Sequence, residues 1–415
     1  MGSHGRILII GAGQAGGRAA EALRAAGHAG AIALVGDEPE PPYERPPLSK
    51  GVLAGDEAAE STRLHPREYW RGKDIELLTG VRAQAIAPAS RSVLLDSGAR
   101  LEYEHLVLAT GSRVRPLPGA DDTLEGVHYL RTIADSRRLA EELQPGRRMV
   151  VIGGGFIGLE VASTAVKRGL SVCVLERQPA LLERALPADI AAVVERLHRA
   201  HGVDVRLGAA VSALQPAAGG RRVSAVALAD GTRVPADVVV IGIGIIPNTE
   251  LAEMAGAASA DGIVTDEFGR TTVERIWAAG DVTSHYNPLL GRRVRLESWQ
   301  NAQNQAIAVA KNIAGTPAPY AEVPWFWSDQ HGVNMQVAGL PEPGARTVWR
   351  GDPASGRAVA FSLVGERIAC ATAFNAGGEI RMARRLIEAR TPVAAAALAD
   401  ARTKLKDLAA ERAAA

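Results

Sequence analysis

The chain is expected to fold as an α/β protein with two parallel sheets and a third, smaller α+β domain. Three observations carry that expectation. Two segments share one pattern: an apolar run, glycines in a GxGxxG frame, an apolar-periodic stretch, a second apolar run and an acid. The residues after each copy match as well. From about Tyr320 the pattern changes to alternating strands followed by helices.

In the first copy RILII (6–10) is a strand and GAGQAG supplies Gly11, Gly13 and Gly16. A helix is predicted over 15–26, and AIALV (31–35) is the next strand, running into Gly36, Asp37 and Glu38. In the second copy MVVI (149–152) meets Gly153, Gly155 and Gly158, and the following strand ends at Glu176, 23 residues after Gly153. Such glycines let a pyrophosphate approach a helix N-terminus, and the acid takes a ribose hydroxyl pair. DIELLTG, VRAQAIAP, RSVLLD and EHLVLATGS follow copy one; VDVRLGA, AVSALQP, RVSAVALA and ADVVVIGIG follow copy two. Each set reads as a small antiparallel layer, then an apolar strand that returns to the parallel sheet. Two Rossmann-like dinucleotide-binding domains in one chain imply two dinucleotides that meet. The usual reason is hydride transfer from a nicotinamide to a flavin.

Composition excludes other classes. At 415 residues the chain can hold two or three domains. A net charge of +1 with 22% charged residues gives no general pull toward nucleic acid or membrane. No apolar run reaches the roughly 18 residues of a membrane span. The start lacks a signal peptide's apolar core, MGSH reads as an expression scar, and a cytoplasmic location is expected. Cys173 and Cys370 form no CxxC pair, Cys173 reads as a buried structural thiol, and no metal site is expected.

GAGQAG, PPYERPPLSK, LVLATGS, GGGFIGLE, IWAAGDV and PWFWSDQ resemble the FAD-dependent NADH:ferredoxin reductases, of the putidaredoxin reductase and aromatic-ring dioxygenase type. The resemblance covers 6–408, and apoptosis-inducing factor is similar in fold and motifs. It implies a glutathione-reductase-like, FAD/NAD(P)-linked reductase architecture. The FAD domain would comprise 4–111 and 241–319, the NAD domain 112–240, and a C-terminal α+β domain 320–415.

By this resemblance Gly11, Gly13, Gln14, Ala15 and Gly16 hold the FAD pyrophosphate, and Asp37, with Glu38 beside it, its adenosine ribose. The prolines of PPYERPPLSK predict an extended segment that cannot be helical until Leu48. In that stretch Arg45 matches a phosphate contact, and Lys50 lies near the isoalloxazine, where the family pairs it with the glutamate of GLE, Glu160. Val81, Ala109, Thr110, Gly111 and Arg131 match further FAD contacts; a buried strand end explains Ala109–Gly111 equally well. Gly280 and Asp281 match the ribityl site. A helix beginning near Asn301 would turn its N-terminus to the flavin, with Glu297 and Trp299 at the nicotinamide–flavin junction.

For NAD, the resemblance marks Gly153, Gly154, Gly155, Phe156, Ile157, Gly158, Arg184 and Gly244, with Phe156 equally readable as core. Glu176 would accept the ribose hydroxyls of NADH and repel the phosphate of NADPH. Glu160 would point at the nicotinamide, although a first-turn glutamate also suits the helix dipole alone. In Trp325-Phe326-Trp327, strand alternation puts the tryptophans on one face, and Trp327 matches a residue beside the flavin. Arg381, Arg384 and Arg385 are either a docking patch for an acidic ferredoxin or a solvated helix face.

The implied function is electron transfer from NADH through FAD to a 2Fe-2S ferredoxin that supplies an oxygenase, with Lys50, Glu160 and Trp327 at the reacting rings. A rubredoxin reductase and a redox-gated binding protein like apoptosis-inducing factor are the alternatives. A flavin disulfide reductase would need a redox cysteine near the flavin, and the stretch leading to Ser49 and Lys50 has none.

Overall fold

The computed structural model describes residues 5–120 and 123–410; MGSH and the last five residues of the alanine-rich tail lie outside them. The chain folds as two compact units, each assembled from three segments.

Unit one comprises Met1–Glu44, Glu60–Arg113 and Ile246–Pro324. Its parallel sheet runs in the order Ile75–Thr79, Ile32–Gly36, Ile7–Ile10, His105–Leu108, Ile276–Ala278. The near-continuous apolar runs follow from burial on both faces. Ile7, Ile9 and Leu34 pack with Ala19, Leu23 and Ala306 of the helices Gln14–Ala25 and Trp299–Ile313. Leu8, Ile10 and Val35 face the other way, toward Ile86 and Val93 of the antiparallel layer Ala83–Ala87, Ser92–Leu95, Arg100–Glu102.

Unit two comprises Arg45–Ala59, Val114–Ile245 and Trp325–Ala415. Its parallel sheet repeats the order: Asp204–Arg206, Ser171–Leu175, Arg148–Ile152, Val238–Ile241, Val127–His128. The antiparallel layer recurs as Val211–Pro216, Val223–Leu228 and Arg233–Pro235. The fifth strand departs from the repeat, since unit one draws it from after the second copy and unit two from before it. A five-stranded antiparallel sheet, Trp325–Gln330, Val333–Gly339, Arg367–Phe374, Arg357–Val364, Arg346–Asp352, carries the helix Gly377–Glu388.

Two sequence expectations need correction. Helical geometry does not wait for Leu48: Pro46–Ser49 is a 3-10 turn. Its first two residues are prolines, whose fixed φ suits a helical start and whose missing N–H has no partner to lose there. The helix expected near Asn301 starts earlier, at Trp299, because the Ser298 hydroxyl accepts the Asn301 N–H at 3.2 Å and caps it.

The sheet of unit two is pinned where two neighbouring strands begin. The Asp237 carboxylate accepts from Arg148 N–H, Nε and Nη2 at 2.9, 3.0 and 2.7 Å. Those bonds hold its carboxyl down, from the ordinary 3.8 to about 2. A depressed acid stabilises the fold above its unfolded pKa and loses that contribution as pH falls through the folded one. We expect Asp237→Asn to cost about 0.5–1 kcal/mol at pH ~6, the pair being partly exposed and screened. In urea titrations the gap to the parent should close as pH falls from 3.8 toward 2; a gap that persists would refute the assignment.

Candidate functional site

Each glycine of the two loops answers to a different constraint. Gly11 and Gly153 have φ of +110° and +107°, and a Cβ there would lie 2.1 Å from Ala109 O and 2.4 Å from Gly242 O. Gly16 and Gly158 let helix pack on loop: a Cβ would lie 1.8 Å from Gly11 O and 2.4 Å from Gly153 O. The middle glycines are open: among the described residues nothing lies within 4 Å of a Cβ at Gly13, and only Gly242 O, at 3.9 Å, near one at Gly155. Gly13 and Gly155 are the N-caps of the helices Gln14–Ala25 and Phe156–Lys167. Neither helix has a side-chain cap or an acid in its first turn. Their first N–H groups are therefore available to a phosphate, and the residues present fit a dinucleotide in each unit. In unit one, Gln14 Oε1 and Asn301 Oδ1 are buried acceptors that no donor among the described residues reaches, which fits a ligand carrying O–H or N–H groups.

The acids that close the two motifs are placed differently. Gly11 N–H donates to Val35 O and Gly153 N–H to Leu175 O, both at 2.8 Å, so Gly36 stands where the second copy has Glu176. Glu176 is fixed by two backbone donors, Gly154 N–H to Oε2 at 2.7 Å and Gln178 N–H to Oε1 at 2.8 Å. Arg177 beside it is exposed. Asp37, one position later in register, is exposed and lies 3.3 Å from Arg82, whereas half-buried Glu38 accepts from Tyr43 Oη at 2.5 Å.

Elsewhere in unit one, Thr110 and Asn248 clasp reciprocally: Thr110 Oγ1 donates to Asn248 O at 2.8 Å and Asn248 Nδ2 to Thr110 O at 2.9 Å. Ala109 N–H donates to Ile10 O, Gly111 has positive φ, and Val81 N–H donates to Gly36 O. Gly280 N–H donates to Gln305 Oε1 at 2.9 Å, and Ala15 lies 3.0 Å from where its Cβ would be. Asp281 follows, half-buried. Trp299 opens its helix, half-buried, and exposed Glu297 is ion-paired with Arg295.

In unit two, Lys50 and Glu160 come together at 2.7 Å, with Glu160 only 3% exposed. Glu160 lies in the second helical turn, not the first, so Lys50 rather than the helix end answers its charge. Its carboxylate also accepts from Ser49 Oγ at 2.5 Å and Ser328 Oγ at 2.6 Å. Helix and strand spacing produce this arrangement. Phe156, Glu160 and Ser163 recur along one helix face, and Phe326, Ser328 and Gln330 along one strand face. Phe156 meets Phe326 edge-on at 4.9 Å, while Ser163 Oγ accepts the His331 N–H at 2.7 Å. Trp325 and Trp327 stack on the opposite face at 5.3 Å, with Arg384 5.8 Å from the Trp325 ring. Arg381 and Arg385 are exposed on the same helix, Gly377–Glu388. Arg45 Nη1 donates to Arg131 O at 2.6 Å. Gly244, with φ of +112°, has Arg184 Nη2 3.4 Å from where its Cβ would be, and Ile157 is 47% exposed beside the loop.

Ser49 and Ser328 escaped sequence reasoning, although both lie inside the quoted motifs. The signal was available for Ser328, since period two puts it on the Phe326 face. Both cysteines are buried on separate strands, and burial pushes each thiol up to about 12. Neither is a reactive thiolate. Among the described residues no helix is long and apolar enough to cross a membrane.

A family model for pyridine nucleotide-disulphide oxidoreductases matches residues 5–306, and one for the reductase C-terminal domain matches 325–409. The chain belongs to the pyridine nucleotide-disulphide oxidoreductase family. It is 46% identical to the ferredoxin–NAD(+) reductase component of the anthranilate 1,2-dioxygenase system of Burkholderia cepacia, over 96% of this chain and 98% of that one. Putidaredoxin reductase of Pseudomonas putida is 40% identical over 98% of this chain and 97% of its own. The solved covalent complex of putidaredoxin reductase with putidaredoxin matches with a TM-score of 0.97 at 39% identity, covering both chains completely.

Proposed function

We propose that this member of the family passes electrons from NADH through FAD to a 2Fe-2S ferredoxin that supplies an oxygenase. The observation that carries the reading is the pair of matching, uncapped glycine cradles in one chain, with no reactive thiol beside them. The FAD domain is 4–111 with 241–319, the NAD domain 112–240 and the partner-facing domain 320–415. A cytoplasmic location accords with two unpaired cysteines.

When bound, FAD would take a hydride from NADH and release the electrons singly. The protein contributes position and charge. The first N–H groups of Gln14–Ala25 hold the FAD pyrophosphate, and those of Phe156–Lys167 hold that of NADH. Glu176 takes the adenosine ribose of NADH and disfavours a phosphate there. Lys50 and Glu160 supply a fixed, desolvated charge pair to the reacting rings. Trp327 covers the flavin, and Arg381, Arg384 and Arg385 attract an acidic ferredoxin.

The test is anaerobic mixing of the yellow protein with NADH or NADPH, then with a 2Fe-2S ferredoxin. NADH should bleach the flavin and the ferredoxin should restore its colour; colourless protein that takes up no FAD would end the reading. Glu176→Ala should narrow the NADH preference by about tenfold or more, the worth of one charge-assisted contact. Equal rates with NADPH in the parent protein would refute the role of Glu176.

A further inference from the structure

We propose that Ser328, Gln330, His198 and His331 form a directional hydrogen-bond chain that orients Glu160, which makes Ser328 a positioning residue for the NADH–flavin reaction. The inference rests on the function proposed above.

The links are short and run through buried side chains of unit two. Ser328 Oγ is 2.6 Å from Glu160 Oε1, and Gln330 Nε2 is 2.9 Å from Ser328 Oγ. His198 Nε2 is 2.8 Å from Gln330 Oε1, and His331 Nε2 is 3.1 Å from His198 Nδ1. Ser328 and His198 are fully buried and Gln330 is 3% exposed.

The Glu160 carboxylate sets the direction of every link. Paired with Lys50, it can only accept, so the Ser328 hydroxyl donates to it. The Ser328 oxygen then takes a proton from the amide nitrogen of Gln330, which turns the amide oxygen toward His198. That oxygen also only accepts, so His198 carries its proton on Nε2. Its Nδ1 is left bare and accepts from His331, which must be protonated on Nε2 as well.

The scheme requires two neutral imidazoles, and the surroundings supply them. Burial lowers His198 below the ordinary range. Burial, then His198 and His201, hold His331 at about 3. The outer end of the chain is braced by exposed His201, which stacks on His331 at 4.2 Å and lies 2.8 Å, through Nδ1, from Leu197 O.

With Oε1 occupied by Ser328, Oε2 is left to Lys50 and Ser49. The chain thus fixes the plane of the one buried carboxylate in the charge pair. Its members touch Glu160 only through Ser328, so they act on the reaction by orientation rather than by binding NADH.

Nitrogen-15 spectra of the imidazoles in the oxidised protein as purified, before any NADH is added, read the chain without any turnover. We expect His198 and His331 both protonated on Nε2; either ring protonated on Nδ1 alone would overturn the proposal. In anaerobic stopped flow, Ser328→Ala should lower the limiting rate of flavin reduction about tenfold, as for one hydrogen bond to a charged group, with the NADH concentration for half-maximal rate unchanged. Ser328→Thr should recover most of that loss, and His198→Phe should lower the rate about threefold. A parent-like rate in Ser328→Ala, or no recovery in Ser328→Thr, would also overturn it. Failure of NADH to reduce the parent protein would instead fell the proposed function, and the tautomers alone would still decide the chain.

Discussion

Gly16→Val is expected to yield colourless protein, whereas Gly158→Val should stay yellow and lose reduction by NADH. The two substitutions are chemically identical and differ only in which cradle they close. A Cβ on Gly16 lies 1.8 Å from Gly11 O, and one on Gly158 lies 2.4 Å from Gly153 O; in both cases the obstacle is backbone, which cannot swing aside as a side chain would. Relief requires the helix to move off the loop, which carries its first N–H groups away from the phosphate. Overpacking of this kind costs about 1–3 kcal/mol, so both units should still fold. The ligand feels more than the fold does. A displacement of about 1 Å is enough for a loss on the order of 100-fold in the rate of flavin reduction by NADH in Gly158→Val. Flavin content and anaerobic bleaching separate the outcomes. A colourless Gly158→Val, or a yellow Gly16→Val, would show that the cradles are assigned to the wrong cofactors.

These positions also show what the sequence made legible. Gly11, Gly13 and Gly16 are readable because each fills a separate steric requirement, and the repeat at Gly153, Gly155 and Gly158 removes the ambiguity of a single motif. The parallel strands were readable for the same reason, as apolar runs buried on both faces. The interleaving was readable only through the resemblance, which splits the FAD domain around the NAD domain. Nothing local distinguishes Val127–His128 or Ile276–Ala278 as fifth strands of different sheets, because edge membership depends on packing of distant segments. The two closing acids differ already in spacing, Asp37 lying 26 residues after Gly11 and Glu176 23 after Gly153, but only the strand register shows that Gly36, and not Asp37, stands at the place of Glu176. Lys50 was legible only through its motif, and no role was read for its neighbours Ser49 and Ser328. For Ser328 the period-two pattern gives the face but not the carboxylate it meets, and Ser49, in the 3-10 turn Pro46–Ser49, has no such pattern.

That carboxylate sets the second large effect. Lys50→Met should destabilise the protein by about 3 kcal/mol, toward the lower end of the 3–5 kcal/mol seen when a buried pair loses one partner. The lower end applies because Lys50 is 19% exposed and because the Ser49 and Ser328 hydroxyls still donate to Glu160. Methionine keeps the unbranched shape of the lysine stem, so the cost comes from stranding a charge that is 3% exposed, not from a cavity. The double variant Lys50→Met with Glu160→Gln removes both charges and should recover most of the loss, since a neutral amide can accept from one serine hydroxyl through its oxygen and donate to the other through its nitrogen. Equilibrium denaturation of the parent, both singles and the double variant measures the coupling. Reduction by NADH should behave differently: the double variant regains stability without regaining rate, because the charge pair proposed to serve the reacting rings is gone. If Lys50→Met unfolds within about 1 kcal/mol of the parent, the pair is worth no more than an exposed one and Glu160 is not a desolvated charge. If the double variant recovers both stability and rate, Lys50 and Glu160 serve packing alone.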